Sequence, residues 1–377
     1  MITYNFKLYS AKKNKHLNKK INLAGAIYNH LIALHRRYYR MFNKGISVTR
    51  IQLHITKLKK TKRYAFWNNL GSQAIQDIAQ RIDRAYKLFF NNIKRGVRTS
   101  PPSFKKLRRY HSFTLKQAGY KILEGNGIVI MGRKYKYFKS REINGKVKVL
   151  TIKRDMLGDL WIYIVTEEEV QPKEARSGKS VGLDFGLKTF LTTSDGEKIE
   201  SPMFMREASV KIKRQSRRLS KKKRGSKNRK KARLNLARTH RKIANQRKDF
   251  HFKLALDLTR RYVSVFVEDL NMKAMQRLWG RKISDLGHAQ FLNILNWQMH
   301  KNGCQGTKIN RFYPSSKTCS ACSHILAELP LSVRAWTCPE CGAIHDRDIN
   351  AAINIQRVGA STLKGEDVRP DSSGCLC

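Results

Sequence analysis

Three acidic residues and four cysteines are the groups in this chain best placed to do chemistry. Asp184 ends an apolar run, VGLDFGL (181–187). Glu268 ends a second, VSVFVEDL (263–270), with Asp269 directly after it, and Asp348 opens a helical stretch in HDRDINAAINI (345–355). If both runs are central strands of one sheet and the helix packs on it, three carboxylates converge on one edge. Such a group cannot stay fully ionised unless something positive joins it. Hard oxygen ligands favour Mg²⁺ or Mn²⁺. Two such ions roughly 3.5–4 Å apart activate a water and stabilise the leaving oxygen of a phosphodiester. A lone acid after a strand is an ordinary cap or turn residue; the three together, in a strongly basic chain, carry the case.

The cysteines form Cys319-x2-Cys322 and Cys338-x2-Cys341, with fifteen residues between the pairs. That spacing reads as a zinc site with four thiolate ligands. Four protein ligands leave no open position for water, so the metal is expected to be structural. His324 and His345 are alternative ligands, although four cysteines already fill the coordination. Two unrelated redox pairs would be the rival explanation, and ribbon-like spacing argues against it. Of the remaining cysteines, Cys304 sits in an apolar context and is expected to be packed, while Cys375 and Cys377 lie near the end.

The elements that must position these groups belong to a chain of 377 residues, long enough for two or three compact units. Hydrophobic residues make up 41%, which excludes a disordered polycation. Lys and Arg number 78 against 27 Asp and Glu, a net charge of +51. A polyanion is the natural counterpart, and nucleic acid binding with a steep salt dependence is expected. The charge is not gathered on one amphipathic helix, so a membrane surface is not the expected partner. With no apolar run approaching eighteen residues and no signal-like start, a soluble cytoplasmic protein is expected.

Alternation at Ile2, Tyr4, Phe6 and Leu8 predicts a short strand. Leu17, Ile21, Ala24, Tyr28, Leu31, Tyr38 and Phe42 predict a long helix ending near Gly45, and a second begins after Ser72. Residues 11–98 thus form a helical unit. The prolines of TSPPSFKK end it, and residues 99–177 turn strand-like, with hairpin signals at EGNG (124–127), Asn144-Gly145 and LGDL (157–160). A small antiparallel barrel that takes residues 1–10 as a strand, with the helical unit inserted, is the expectation. Between the two acid-ending runs, residues 211–248 hold 19 Lys or Arg and no acid. Gly225-Ser226 can fold them into a helical hairpin, with Leu236, Ile243 and Phe250 packing its second arm. Aromatic residues of the first half, such as Tyr38, Tyr39, Phe66, Trp67, Phe89 and Phe90, are expected in the core.

VGLDFGLKTF, VEDLNMKAM, KTCSACS…WTCPECG and HDRDINAAINI occur in an order that resembles the TnpB (OrfB) family, transposon-encoded RNA-guided nucleases related to type V CRISPR effectors. The resemblance covers residues 178–357 closely and the first half more loosely. It implies an α+β multidomain protein with an RNase H-like (RuvC) nuclease domain over 178–317 and 343–357. A zinc ribbon at 318–342 interrupts that domain, a wedge β-barrel with a helical insertion precedes it, and a flexible tail spans 358–377. It also implies Asp184, Glu268 and Asp348 as catalytic magnesium (or manganese) ligands, with Asp348 chosen because it opens Asp-x-Asn-Ala-Ala. Asp346 then suits a helix cap. The implied partners are a transposon-derived guide RNA and double-stranded target DNA; the sequence leaves the oligomeric state open, with a monomer in the complex favoured. Lys221, Lys222, Lys223, Arg224, Lys230 and Lys231 would contact the nucleic-acid backbone. The implied activity is guided DNA cleavage beside a short protein-read motif. A nuclease-dead repressor would lack one of the acids, a transposase proper would need end-recognition functions, and a plain zinc-ribbon binder leaves the acids unexplained.

Overall fold

Tyr4 and Phe6 alternate inward along β1 (Ile2–Lys7), and Leu8 continues the pattern just beyond it. The computed structural model describes residues 1–12, 14–167 and 178–365. It divides into two compact units, Met1–Glu169 and Val170–Cys377.

In the first unit β1 is followed by helices α1 (Asn14–Phe42), α2 (Val48–Lys60) and α3 (Ser72–Lys94). Strands β2 (Ser112–Leu115), β3 (Tyr120–Ile122), β4 (Gly127–Ile130), β5 (Arg133–Lys136), β6 (Lys146–Arg154) and β7 (Leu160–Glu167) complete it. The expected helical unit and strand-rich segment are therefore both present. α2 was not foreseen, because only Ile51 and Ile55 mark its buried side. The strands form two antiparallel sheets, β1-β7-β6-β2 and β3-β4-β5, around one apolar core. They meet at Leu8, which bridges to Tyr137 while its N–H donates to Leu160 O at 2.8 Å.

EGNG turns β3 into β4 and the Gly158 turn joins β6 to β7, as expected. Asp155 Oδ1 holds the latter by accepting from Leu157 N and Asp159 N, each at 2.9 Å. Asn144-Gly145 is not a hairpin: it carries the chain from β5 in one sheet to β6 in the other, and those strands do not pair. The tight turn of that region is Met131-Gly132, with φ of 49° and 76°.

His35 is buried in α1 and stacks on Tyr86 of α3 with ring centroids 4.6 Å apart. Its Nε2 has no hydrogen-bond partner among the described residues. Burial pushes its pKa down to about 4, against a smaller upward pull from Asp83. An unfolded histidine titrates near about 6.5. The contribution to stability is therefore complete above about pH 6.5 and lost as pH falls toward about 4. His35→Phe keeps the stacked ring and removes the proton site, so its melting temperature should fall less than that of the parent on acidification. Parallel melting curves across that range would refute this. Buried His251 and His288, also shifted down to about 4 mainly by burial, leave a residual slope.

The second unit opens with β8 (Ser180–Asp184), β9 (Thr189–Thr193) and β10 (Lys198–Glu200). Helices α4 (Phe204–Glu207), α5 (Ser209–Ser220) and α6 (Lys227–Arg261) lead to β11 (Ser264–Glu268). Next come α7 (Met272–Leu286), α8 (His288–Asn302), β12 (Gln305–Ile309), β13 (Ala335–Thr337), β14 (Ile344–Asp346) and α9 (Arg347–Leu363). Five strands form one sheet in the order β10-β9-β8-β11-β12. The first three are antiparallel neighbours, whereas β8, β11 and β12 run parallel. Strand alternation sends Val265 and Val267 of β11 to a core shared with α6 and α8, while Phe266 meets Ile355 and Val358 of α9. Helices thus cover both faces, as a largely parallel sheet requires.

The basic segment is the helical hairpin α5/α6, turned at Gly225 (φ 89°). Its second arm is longer than expected, continuing to Arg261; Ile243 is buried and Phe250 packs on the core, whereas Leu236 stays half-buried. Helix α9 also runs past the expected end at 357. Val358 is buried, and Gly359 lies so close beneath Phe266 that a Cβ there would approach its ring to 2.3 Å. Residues 358–363 are therefore helix and not tail. Cys375 and Cys377 lie outside the described residues, while Cys304 is buried as expected. Among the described residues no helix is long and apolar enough to cross a membrane.

Candidate functional site

β8 and β11 are parallel neighbours in which Leu183 faces Val267, so one step further Asp184 and Glu268 end adjacent strands at the same sheet edge. Val181 and Leu183 point to the α6/α8 core, which leaves Ser180, Gly182 and Asp184 on the α9 face. The packing of α9 supplies the third group. Gln356 Nε2 donates to Ser180 O at 2.7 Å and Ser180 Oγ at 3.0 Å. At Gly182 a Cβ would lie 2.0 Å from Ala352 O, so only glycine lets the helix backbone come this near. Four helical residues advance about 6 Å and two strand residues about 6.6 Å. The steps Gln356–Ser180 and Ala352–Gly182 therefore continue to Asp348 beside Asp184.

The electrostatics agree with that register. Asp184 is half-buried, and its pKa is pushed up to about 7 by burial first, then by the charges of Asp348 and Glu268. Arg347 and the Phe185 N–H act against this without cancelling it. Burial and then Asp269 raise Glu268 as well. Asp348 is held at 3.4 Å by Arg334. This is a hard-oxygen donor set with excess negative charge, which fits a divalent cation.

Asp346 caps α9, accepting from Asp348 N at 3.0 Å and Ile349 N at 3.1 Å. Burial acts to raise its pKa, but the Lys198 ammonium at 2.7 Å and the helix N–H groups hold it below the ordinary carboxylate range. Asp269 is likewise engaged, by Arg311 and by Lys308 at 3.5 Å.

The sulfur atoms of Cys319, Cys322, Cys338 and Cys341 all lie within 4.8 Å of one another. Among the described residues this is the one set of three or more His, Cys, Asp or Glu gathered so tightly; the three carboxylates interact through charge without closing to that spacing. The sulfur pairs Cys319–Cys341 and Cys322–Cys338 are 3.7 and 3.6 Å apart. A tetrahedral zinc with bonds of about 2.3 Å needs edges of about 3.8 Å, so the cluster fits that ion. Neither histidine joins the set. His345 Nε2 lies 3.0 Å from Cys319 Sγ as a hydrogen-bonding neighbour, and His324 Nδ1 lies 3.8 Å from Glu340. The hairpin β13/β14 extends the ribbon beyond the expected end at 342, because Trp336 and His345 pack together behind the cysteines.

Two buried asparagines join the cluster to α9, and sequence reasoning assigned them no role. Asn350 Nδ2 donates to Thr318 O at 2.8 Å, and Asn350 Oδ1 accepts from Ser320 N at 2.9 Å. One turn later Asn354 Nδ2 donates to Ser315 O at 2.9 Å and Thr318 O at 2.6 Å. The available signal was two asparagines four apart on an otherwise apolar helix face, since a buried amide needs partners.

Lys221, Lys222, Lys223 and Arg224 are exposed at the α5/α6 turn, and Lys230 and Lys231 on the first turns of α6. Among the described residues none of the six is in an ion pair. Arg229 Nη1 braces the turn, donating to Leu219 O at 2.8 Å and Lys222 O at 2.7 Å. An open groove lined by Lys213, Arg214, Arg217, Arg218 and Lys221 runs along α5.

Residues 163–278 match the OrfB_IS605 family model, described as "Probable transposase", and residues 288–355 match the model "Cas12f1-like, TNB domain". A Streptomyces pristinaespiralis protein named "Putative RNA-guided DNA endonuclease" is 30% identical over 362 residues, spanning 94% of this chain and 88% of that protein. "Putative RNA-guided DNA endonuclease InsQ" of Escherichia coli K12 is 27% identical over 356 residues, or 89% of this chain and 87% of its own length. Among solved structures, the Cas12f1 chain of a "Cas12f1-sgRNA-target DNA complex" shares the mixed α/β fold at TM-score 0.58 and 16% identity. That match covers 92% of this chain and 83% of the other.

Proposed function

Because the chain belongs to the TnpB (OrfB) family, whose curated relatives are named for RNA-guided DNA cleavage, we propose that it is an RNA-guided endonuclease acting on double-stranded DNA. In this reading the sheet β10-β9-β8-β11-β12 with α9 is a RuvC-type, RNase H-like nuclease domain interrupted by the zinc ribbon. The first unit is a wedge-like β domain with a helical insertion, which together read a short motif beside the target. The guide RNA pairs with the target strand, so the protein itself need read little sequence.

Asp184, Glu268 and Asp348 would hold a divalent cation, Mg²⁺ or Mn²⁺. When bound, it supplies Lewis-acid stabilisation of the phosphodiester and of an attacking water. The protein's share is positional. β8 and β11 set two carboxylates side by side, α9 brings the third over them, and Asp346 and Arg334 fix the start of that helix. Water adds at phosphorus in line with the departing O3′, leaving a 3′-hydroxyl and a 5′-phosphate. Lys221, Lys222, Lys223, Arg224, Lys230 and Lys231 neutralise backbone phosphates and contribute affinity without sequence reading. The four cysteines would hold a structural zinc.

The observation that carries this reading is the stacked register of α9 on β8, which sets Asp348 against Asp184 beside Glu268. The test is cleavage by protein purified with RNA from the flanking element. Matched duplex DNA should be cut in Mg²⁺ and left intact in EDTA or with a mismatched guide. Equal cutting with matched and mismatched guides would overturn the guided reading.

A further inference from the structure

The turn after β12 leaves the same sheet edge as the carboxylates. Ile309, the last residue of β12, is in register with Glu268, and Asp269 N donates to Ile309 O at 3.3 Å. The residues that follow are held in place. Asn310 Oδ1 accepts from Phe312 N at 2.9 Å, and Tyr313 N donates to Asn310 O at 3.1 Å. Arg311 is ion-paired to Asp269, the neighbour of Glu268, while Tyr313 packs inward beside Phe266 and Ile309.

Between these anchors Phe312 is 85% exposed, the most exposed large apolar side chain among the described residues. A single exposed aromatic on an arbitrary loop needs no explanation. Phe312 differs in being presented by a built turn at the edge where Asp184 and Glu268 end, in a chain of net charge +51. A partner suited to that place carries negative charge and offers an uncovered flat ring. In a duplex every base is covered by its stacked neighbours; in an unpaired strand its face is free.

We propose that Phe312 stacks on an unpaired base of the DNA strand at the carboxylate edge. The inference rests on the endonuclease reading and adds to it a substrate-contacting residue. One ring on one base places the strand laterally at the carboxylate edge. Phe312 touches substrate without sequence preference, because every base has a π-face.

The test uses the guide-loaded complex in EDTA, so that binding is read without cleavage. Three probes of equal length are compared: single-stranded DNA unrelated to the guide, the same strand with abasic nucleotides throughout, and a duplex. Phe312→Ala should bind the base-bearing strand about tenfold more weakly. It should bind the abasic strand and the duplex as the parent does, with an unchanged salt slope. Phe312→Trp should restore the parent's affinity. In Mg²⁺, single abasic substitutions scanned across the cut region of a matched target should slow the parent at one position and leave Phe312→Ala indifferent there. Equal weakening on base-bearing and abasic strands, or none on either, would overturn the stacking role. A parent complex that fails to cut matched DNA would count against the endonuclease reading, and the binding comparison would still judge Phe312.

Discussion

Asp184→Ala is expected to lower guided cleavage by about 10³-fold or more, since loss of one group that stabilises transition-state charge already costs about 10²- to 10³-fold. Binding of guide and target should persist, because Asp184 is not one of the basic residues proposed to neutralise backbone phosphates and contributes no positive charge. A second readout needs no catalysis. The folded pKa of Asp184, about 7, lies above the unfolded carboxylate value, so the folded state holds an extra proton between about pH 4 and about 7. Stability from this group is therefore present at low pH and lost as pH rises through that window. Asp184→Asn relieves the repulsion from Asp348 and Glu268, so in EDTA above about pH 7 its melting temperature should exceed the parent's. It should also lose most of the stabilisation that Mg²⁺ gives the parent. Full cleavage by Asp184→Ala, or an unaltered Mg²⁺ effect in Asp184→Asn, would remove Asp184 from the site.

Loss of the proposed zinc is expected to have the second large effect. Cys341→Ser should lower the zinc content and cut cleavage about 10- to 100-fold, the range typical when groups supporting a metal-site ligand are lost. None of the three carboxylates proposed to be catalytic is altered by this change. The path is visible in the hydrogen bonds. The first cysteine knuckle offers Thr318 O and Ser320 N to Asn350 and Asn354, and these fix the axial position of α9, hence that of Asp348. Asn350→Ala separates the two parts of the argument. It should keep the zinc and still lose activity, because of the two buried asparagines only Asn354 then holds the helix to the knuckle. Zinc-free protein that folds and cleaves like the parent would break the link between ribbon and site, as would Asn350→Ala with parent activity.

Much of this was legible in the sequence. Local signals sufficed for the acid-ending strands, the paired CxxC motifs, the helix opened by Asp348 and the basic hairpin, because each is written in neighbouring residues. Met131-Gly132 and α2 escaped because a two-residue turn and a helix with two buried apolar residues leave little pattern to read. Asn144-Gly145 misled because turn chemistry specifies a bend in the chain and not which strands it joins.

The sequence by itself determined the groups available for chemistry: three carboxylates, four paired cysteines and an excess of positive charge. Their periodicity also determined which segments become strands and helices. Only the tertiary structure decided that these groups meet. The approach of α9 to Gly182 of β8 and, through its own Gly359, to Phe266 of β11, the register that puts Asp348 against Asp184, and the asparagine bonds tying α9 to the cysteines all join residues far apart in the chain. So does the placement of Phe312 at the carboxylate edge. The physical reason is that hydrophobic periodicity reports which face of an element is buried, whereas the partner and the register follow from close packing between elements.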